Sequence, residues 1–300
     1  MAHVPPSIAG PLDAFWYRRR FPLRGPRRAT LAAARSLSPG DRAGEEPPLT
    51  EELLADPSAQ ARGSGRFLGI YSAEGLLTVL RAHGLLDALA ARGLAHVGVE
   101  LDLRDPFEHA VRLYDGAPAR RVGELVAARR RVDRLGAVEL PDVEVVDIRW
   151  LAIENPDAAE GTALPGQERP GLGLGRAVID MALAGAAHLG FAAVLATPAH
   201  YHLAWMYHPW CRPLDPADEG ALLALERATR PRSRRNASWV IARGEVSRDG
   251  APWHWRGPTM CAPLDARLRA WMTSPDYARA AVDAGTAAAF ACGEGAPRAT

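Results

Sequence analysis

The sequence predicts a fold of mixed class, α/β in the α+β arrangement. Three observations predict it. Strand-like runs with alternating apolar residues crowd into residues 96–153. The last of these is followed by three glycines in Gly171-Leu172-Gly173-Leu174-Gly175, and the glycines open a helix-like run. Segments with helical spacing and capping residues lie on both sides of this stretch, at 72–93 before it and at 177–189 and 215–229 after it. A switch of apolar period between 2 and 3.6 marks strand against helix.

Composition narrows the function classes. Three hundred residues suit one large domain or two small ones and can bury a sizeable core. An apolar content of 48% with 24% charged residues is ordinary for a soluble globular chain. The net charge of +1 gives no global argument for nucleic acid or for an anionic membrane, and neither partner is expected. The chain has no Lys, so its 36 basic residues are all Arg. A Schiff-base lysine and a Walker-type phosphate loop are therefore excluded. Three dispersed cysteines, Cys211, Cys261 and Cys292, argue against a disulfide framework, and the expected compartment is the cytoplasm. No run reaches the ~18 apolar residues of a membrane span. Arg18-Arg19-Arg20-Phe21 faintly resembles an export signal, but Arg24, Pro26, Arg27 and Arg28 break the apolar stretch that should follow.

Residues 1–65 are proline-rich with a basic cluster from Arg18 to Arg28, and they read as a poorly ordered N-terminal arm. Short helical pieces are expected within it at 31–37 and 51–55, behind Thr30 and Thr50. A folded domain over 66–260 and a helical C-terminal extension over 261–300 complete the predicted organisation. Ser72 caps a helical stretch carrying Leu76, Val79 and Leu80, which Gly84 interrupts before Leu86 and Leu89 continue it. Val97, Val99, Leu101 and Leu103 alternate as in a half-buried strand that Asp105-Pro106 ends. Strands follow at 109–114 and 122–131, with Arg129-Arg130-Arg131 read as a solvated strand end. The run 143–153 is the clearest strand. Simple alternation puts Val146, Ile148, Trp150 and Ala152 on one face, and Val143, Val145, Leu151 and Ile153 on the other with Asp147 and Arg149. Its last third is apolar on both faces, as in a central strand covered on two sides.

After a polar loop at 155–168 and the glycines, a helix is expected over 177–189. Val178, Met181, Ala182 and Leu189 form its buried stripe and Gly190 its end. A buried strand at 191–196 and a short helix closing at Tyr207 come next. Asp215-Pro216 starts a helix; strands at 238–246 and 253–255 flank an Asp249-Gly250 hairpin; Asp265 and Ser274-Pro275 open two last helices. Trp150, Trp205, Trp210, Trp239, Trp253 and Trp255 are expected mainly in the core.

A strand, a glycine-rich turn and a helix start together suit phosphate. Glycine lets backbone approach a ligand, and the first N–H groups of a helix have no intrahelical acceptor. A dinucleotide loop would need a G-x-G-x-x-G spacing, an early βαβ unit and an acidic residue ~20 positions on. The spacing here is G-x-G-x-G, past mid-chain, with no acid ending 191–196. A tight turn without ligand is the other alternative. His200, His202, His208, Cys211 and His254 lack a standard ligand spacing, so no metal is expected.

Around this loop the chain resembles the GNAT superfamily of N-acetyltransferases. Their acetyl-CoA loop has Gln or Arg, two variable residues, Gly, one variable residue, then Gly or Ala. Gly173 and Gly175 match the two small positions, and Pro170 stands at the first. The resemblance covers roughly 67–256 and is specific over 143–207. It implies a mixed, mostly antiparallel central sheet flanked by helices, and an acyl-CoA-binding domain over 66–260. It implies acetyl-CoA as cosubstrate, its pyrophosphate on the N–H groups of Leu172, Gly173, Leu174, Gly175 and Arg176. The thioester oxygen would be polarised by an N–H near Ile153, where the strand splays from its neighbour. Tyr207 would protonate the leaving thiolate, as a phenol can. Glu154 or His200 would take the proton of an amine acceptor, a small molecule or a peptide, which attacks directly. Self-association is left open. The alternative is a non-catalytic acyl-CoA sensor or interaction protein of the same fold.

Overall fold

The computed structural model describes residues 24–37, 65–116, 120–158 and 163–293. The chain divides into two compact units, one of Gly25–Thr197 and one holding the residues from Pro198 onward. The division thus falls between Thr197 and Pro198, inside the stretch 66–260 that the sequence suggests as one domain. The expected helix at 51–55 and most of the expected arm lie outside the described residues.

In the first unit, α1 (Arg24–Ser36) buries Thr30 and Ala33, and the Thr30 hydroxyl lies 3.0 Å from Nε2 of His83. The helix α2 (Ala73–Ala82) begins at Ser72, whose side chain accepts from the Gly75 N–H. Gly84, at φ 70°, separates it from α3 (Leu85–Ala90). Five strands follow in spatial order: β1 (Val97–Asp102), β2 (His109–Asp115), β3 (Arg121–Leu135), β4 (Val138–Ile153) and β5 (Ala193–Ala196). The first four are antiparallel neighbours, and β5 runs parallel to β4. One core lies on one face of this sheet. Leu80, Leu85 and Leu89 from α2 and α3 meet Val111, Leu113, Val122 and Ala127 from the strands. The architecture is mixed α+β, a mostly antiparallel sheet flanked by helices.

Strands β3 and β4 run beyond the sequence expectation because they form one long hairpin. Leu135 pairs with Val138 around Gly136, at φ 56°, and Ala137. Arg129, Arg130 and Arg131 are therefore mid-strand. They reach Glu144, Asp147 and Asp142 on β4 at 2.7 Å each, a cross-strand ladder in place of a solvated end.

A bulge decides the faces of β4. Val126 pairs with Trp150 and Ala127 with Ile148, so Arg149 has no opposite residue. An extra residue reverses the alternation beyond it. Leu151 and Ile153 consequently join Val146 on the core face, whereas simple alternation separates them. Trp150 is 40% exposed, and Trp239 in the other unit 37%, so neither is a core residue. The helix α4 (Gly175–His188) buries Val178, Ile179, Leu183, Ala184 and Ala186, while Leu189 lies past its end and is exposed. The stripe is therefore rotated from the expected one.

In the second unit, α5 (Tyr201–Tyr207) precedes β6 (Arg212–Pro213), which pairs with β9 (Met260–Pro263). Asp215 caps α6 (Pro216–Thr229) through the Ala217 N–H. Residues 238–242, the first part of the strand expected over 238–246, lie instead in a helix, α7 (Arg234–Ala242). Ser233 caps it, and Ala237, Ser238, Val240 and Ile241 are buried at helical spacing. The predicted hairpin forms around Asp249-Gly250, both at positive φ, between β7 (Val246–Arg248) and β8 (Ala251–Trp253). β10 (Phe290–Cys292) adds to β7. Asp265 and Ser274 cap α8 (Ala266–Met272) and α9 (Pro275–Ala287) as predicted. α6 and α9 cross at two glycines; a Cβ on Gly220 would lie 2.2 Å from the Ala281 carbonyl oxygen. Among the described residues, no helix is long and apolar enough to cross a membrane.

A candidate anion site at the end of the fourth strand

The parallel ladder between β4 and β5 covers only Val145–Ile148 of β4 and stops where the Arg149 bulge begins. Among the described residues of this unit, the β4 edge beyond Ile148 has no strand beside it. The Glu154 N–H donates to the Val122 carbonyl at 2.9 Å. Residues of an antiparallel ladder point alternately toward and away from their partner. Ile153, one position back, therefore turns its N–H and C=O away from β3, toward the open edge.

The glycine loop closes that edge at its tip. Leu172 donates to the Ile153 carbonyl at 3.4 Å, and Asn155 donates to the Pro170 carbonyl at 2.8 Å. Glu154 and Gly171 stand opposite each other in this isolated bridge. Space there favours glycine, because a Cβ on Gly171 would lie 3.3 Å from the Ile153 oxygen. Gly173 takes φ 73°, a region costly for residues with a Cβ. Exposure alternates along the loop. Leu172 and Leu174 are buried in the core with Val178, and Gly171 and Gly173 face outward. The leucines are thus anchors and the glycines the presented surface. Leu172's N–H is committed to β4, so of the five expected donors those of Gly173, Leu174 and Gly175 have no partner among the described residues. The first intrahelical bond of α4 runs from Val178 to Leu174, so the amides just before Val178 have no intrahelical acceptor.

Charge around the helix start suits an anion. The N-cap, Leu174, offers no side-chain cap, and the first turn of α4 holds no acid, whereas those of α2, α3, α6 and α9 each hold at least one. Arg176 is exposed in that turn. Arg92, which sequence reading passed over, donates from Nε to the Leu172 carbonyl at 3.0 Å. Nothing in its local sequence marks it, because the contact spans 80 positions. The Glu154 carboxylate accepts from the Glu168 N–H at 3.2 Å. Gln167 and Arg169, the neighbours of Pro170, are engaged within the 155–170 loop. Gln167 accepts from Leu164, and Arg169 donates to the Pro156 carbonyl.

Ile153, Glu154 and Leu172–Arg176 therefore come together in the first unit, while His200 and Tyr207 belong to the second. His200 is the N-cap of α5 and stacks on His202 with ring centroids 5.8 Å apart. Burial lowers the His200 pKa. Burial and the neighbouring His200 push His202 down to about 4. Both imidazoles are neutral near pH 7, as a base must be. Tyr207 is buried, and burial followed by the nearby Cys211 pushes its phenol up to about 12. It stays protonated at neutral pH, as an acid must be. His208 reaches Glu219 at 3.4 Å, beside Arg212.

No protein-family model matches the chain, and no curated protein matches it.

Proposed function

We propose that this chain is an acyl-CoA-dependent N-acetyltransferase of the GNAT type. One observation carries the proposal: among the described residues of its unit the β4 edge has no strand beside it beyond Ile148, and a glycine loop is anchored at its tip and starts a helix without an acidic first turn. An extended ligand with an amide-bearing arm and a diphosphate suits such a feature. The arm would pair with the outward-turned groups of β4, and the diphosphate would take the amides of Gly173–Arg176. In this reading an N–H at the Ile153 edge polarises the thioester carbonyl. Glu154 or His200 removes a proton from the acceptor ammonium. The amine attacks the carbonyl carbon, the carbon–sulfur bond breaks, and Tyr207 supplies the proton to the departing thiolate. The acceptor class is an amine, of a small molecule or a peptide.

Calorimetric titration with acetyl-CoA and CoA tests it first, followed by thiol release across a panel of amines. Binding with amine-dependent thiol release is the expected outcome, and no binding at millimolar ligand would sink the proposal. A second reading, an acyl-CoA sensor, draws on the reduced donor set: Pro170 has no N–H and that of Leu172 is bonded to Ile153. Binding without thiol release would select it.

A further inference from the structure

We infer that Arg92 is a diphosphate-contact residue of this loop, a role that rests on the acyl-CoA reading above. Arg92 follows α3, whose Leu89 packs in the same core as Leu172 and Leu174. Its guanidinium is already fixed on two carbonyls, Nε on Leu172 at 3.0 Å and Nη1 on Ala88 at 2.7 Å. Neither acceptor is charged, and no carboxylate pairs with Arg92 among the described residues. A guanidinium carries five N–H donors in a planar fork. One of them, on Nε, holds the loop and one, on Nη1, holds the end of α3, while those on Nη2 have no partner among the described residues. The positive charge therefore sits against the residue that precedes Gly173, in the loop that leads into α4.

The loop's own donor count gives this charge a purpose. Pro170 has no N–H and the Leu172 N–H is bonded to Ile153, so backbone amides alone meet a dianionic diphosphate from one side. A fixed guanidinium adds charge-assisted hydrogen bonds, about twice as strong as neutral ones. Because Arg92 is held before ligand arrives, little side-chain freedom is lost on binding. It acts twice, pinning the Leu172 carbonyl and presenting Nη2 to the diphosphate.

The test compares Arg92→Gln and Arg92→Ala with the wild-type full chain. The probes are acetyl-CoA and acetyl-pantetheine, which lacks the diphosphate. Gln can still donate to the Leu172 carbonyl, so it removes the charge and spares the pin. The expected result for Arg92→Gln is a KM for acetyl-CoA raised about 30-fold with kcat little changed, which is about what a hydrogen bond to a charged group is worth. Arg92→Ala, which also gives up the pin, should show a larger rise, and kcat/KM for acetyl-pantetheine should be unchanged in both. The dependence of acetyl-CoA affinity on salt should also weaken. Equal losses for both probes would make Arg92 a structural support and overturn the inference, as would no loss for acetyl-CoA. Should Arg92→Ala fail to fold, the Gln variant decides. Should wild-type protein bind neither acetyl-CoA nor CoA by calorimetry, the acyl-CoA reading fails first, which is a distinct result from a binding wild type with indifferent variants.

Discussion

Gly171 faces Glu154 across a single antiparallel bridge, and the bonds on either side of it, Leu172 to Ile153 and Asn155 to Pro170, tie the glycine loop to the end of β4. The loop's position is thus set by the strand that it follows. Changes at its glycines should move both stability and ligand affinity.

Gly173→Ala isolates the backbone effect. An added Cβ would meet nothing within 4 Å, so the cost is the left-handed conformation at φ 73°. That cost is about 1–2 kcal/mol. Urea denaturation should show it, and under the proposed function acetyl-CoA affinity should fall in parallel, because the Gly173 and Leu174 amides would turn. Unchanged affinity in a destabilised variant would remove these amides from the site.

Tyr207→Phe deletes the phenol with little change in packing. Under the proposed mechanism turnover should fall about 100-fold, the scale of a general acid, with CoA affinity retained. Since the phenol is pushed up to about 12, the wild-type rate profile should show no basic limb from it between pH 7 and pH 9. An unchanged rate in the Phe variant would strike Tyr207 from the mechanism. Glu154→Gln and His200→Gln, measured alongside, separate the two candidate bases, since removing the true base should cost a comparable factor.

His202 predicts an acid-side loss of stability. Its native pKa is held below the ordinary value of 6.5, to about 4, first by burial and then by His200. The unfolded chain thus binds a proton in this window that the native chain refuses. Stability should fall as pH drops from about 6.5 towards about 4 and level off below, by the linkage of proton binding to folding. Denaturation midpoints in urea across this range should show the slope, and His202→Phe should make it shallower. A slope unchanged in the variant would assign it to other groups.

Gly220→Ala tests the α6–α9 crossing. The new Cβ would lie 2.2 Å from the Ala281 oxygen and 2.5 Å from the Gly285 nitrogen, both backbone atoms. The helices must separate, and overpacking of this kind costs ~1–3 kcal/mol. Thermal unfolding should register the loss, and an unaltered melting temperature would mean that the crossing is looser than it stands here.

Much of this fold is legible residue by residue. Ser72, Asp215, Asp265 and Ser274 cap the helices that they foretell, and Asp249-Gly250 turns the predicted hairpin. These are interactions over two or three residues, so the local sequence contains both partners. Residues 238–242, expected as the start of a strand and found in α7, show the limit of the same logic. Trp239, Val240 and Ile241 favour strand by type, but the Ser233 cap and burial at helical spacing prevail.

The candidate site divides along the same line. By itself the sequence determined that a strand would end near Ile153, that glycines would follow, and that a helix would open directly after them, near Ala177. Tertiary structure decided what those residues present. The bulge at Arg149 turns Leu151 and Ile153 into the core, the β5 ladder stops at Ile148, and the Leu172 N–H is spent on Ile153 rather than left for a ligand. Arg92 reaches the loop from 80 positions away. The physical reason is register. A capping or turn residue meets its partner within its own few bonds. Which amides stay open, and which guanidinium stands beside them, depends on how distant strands align.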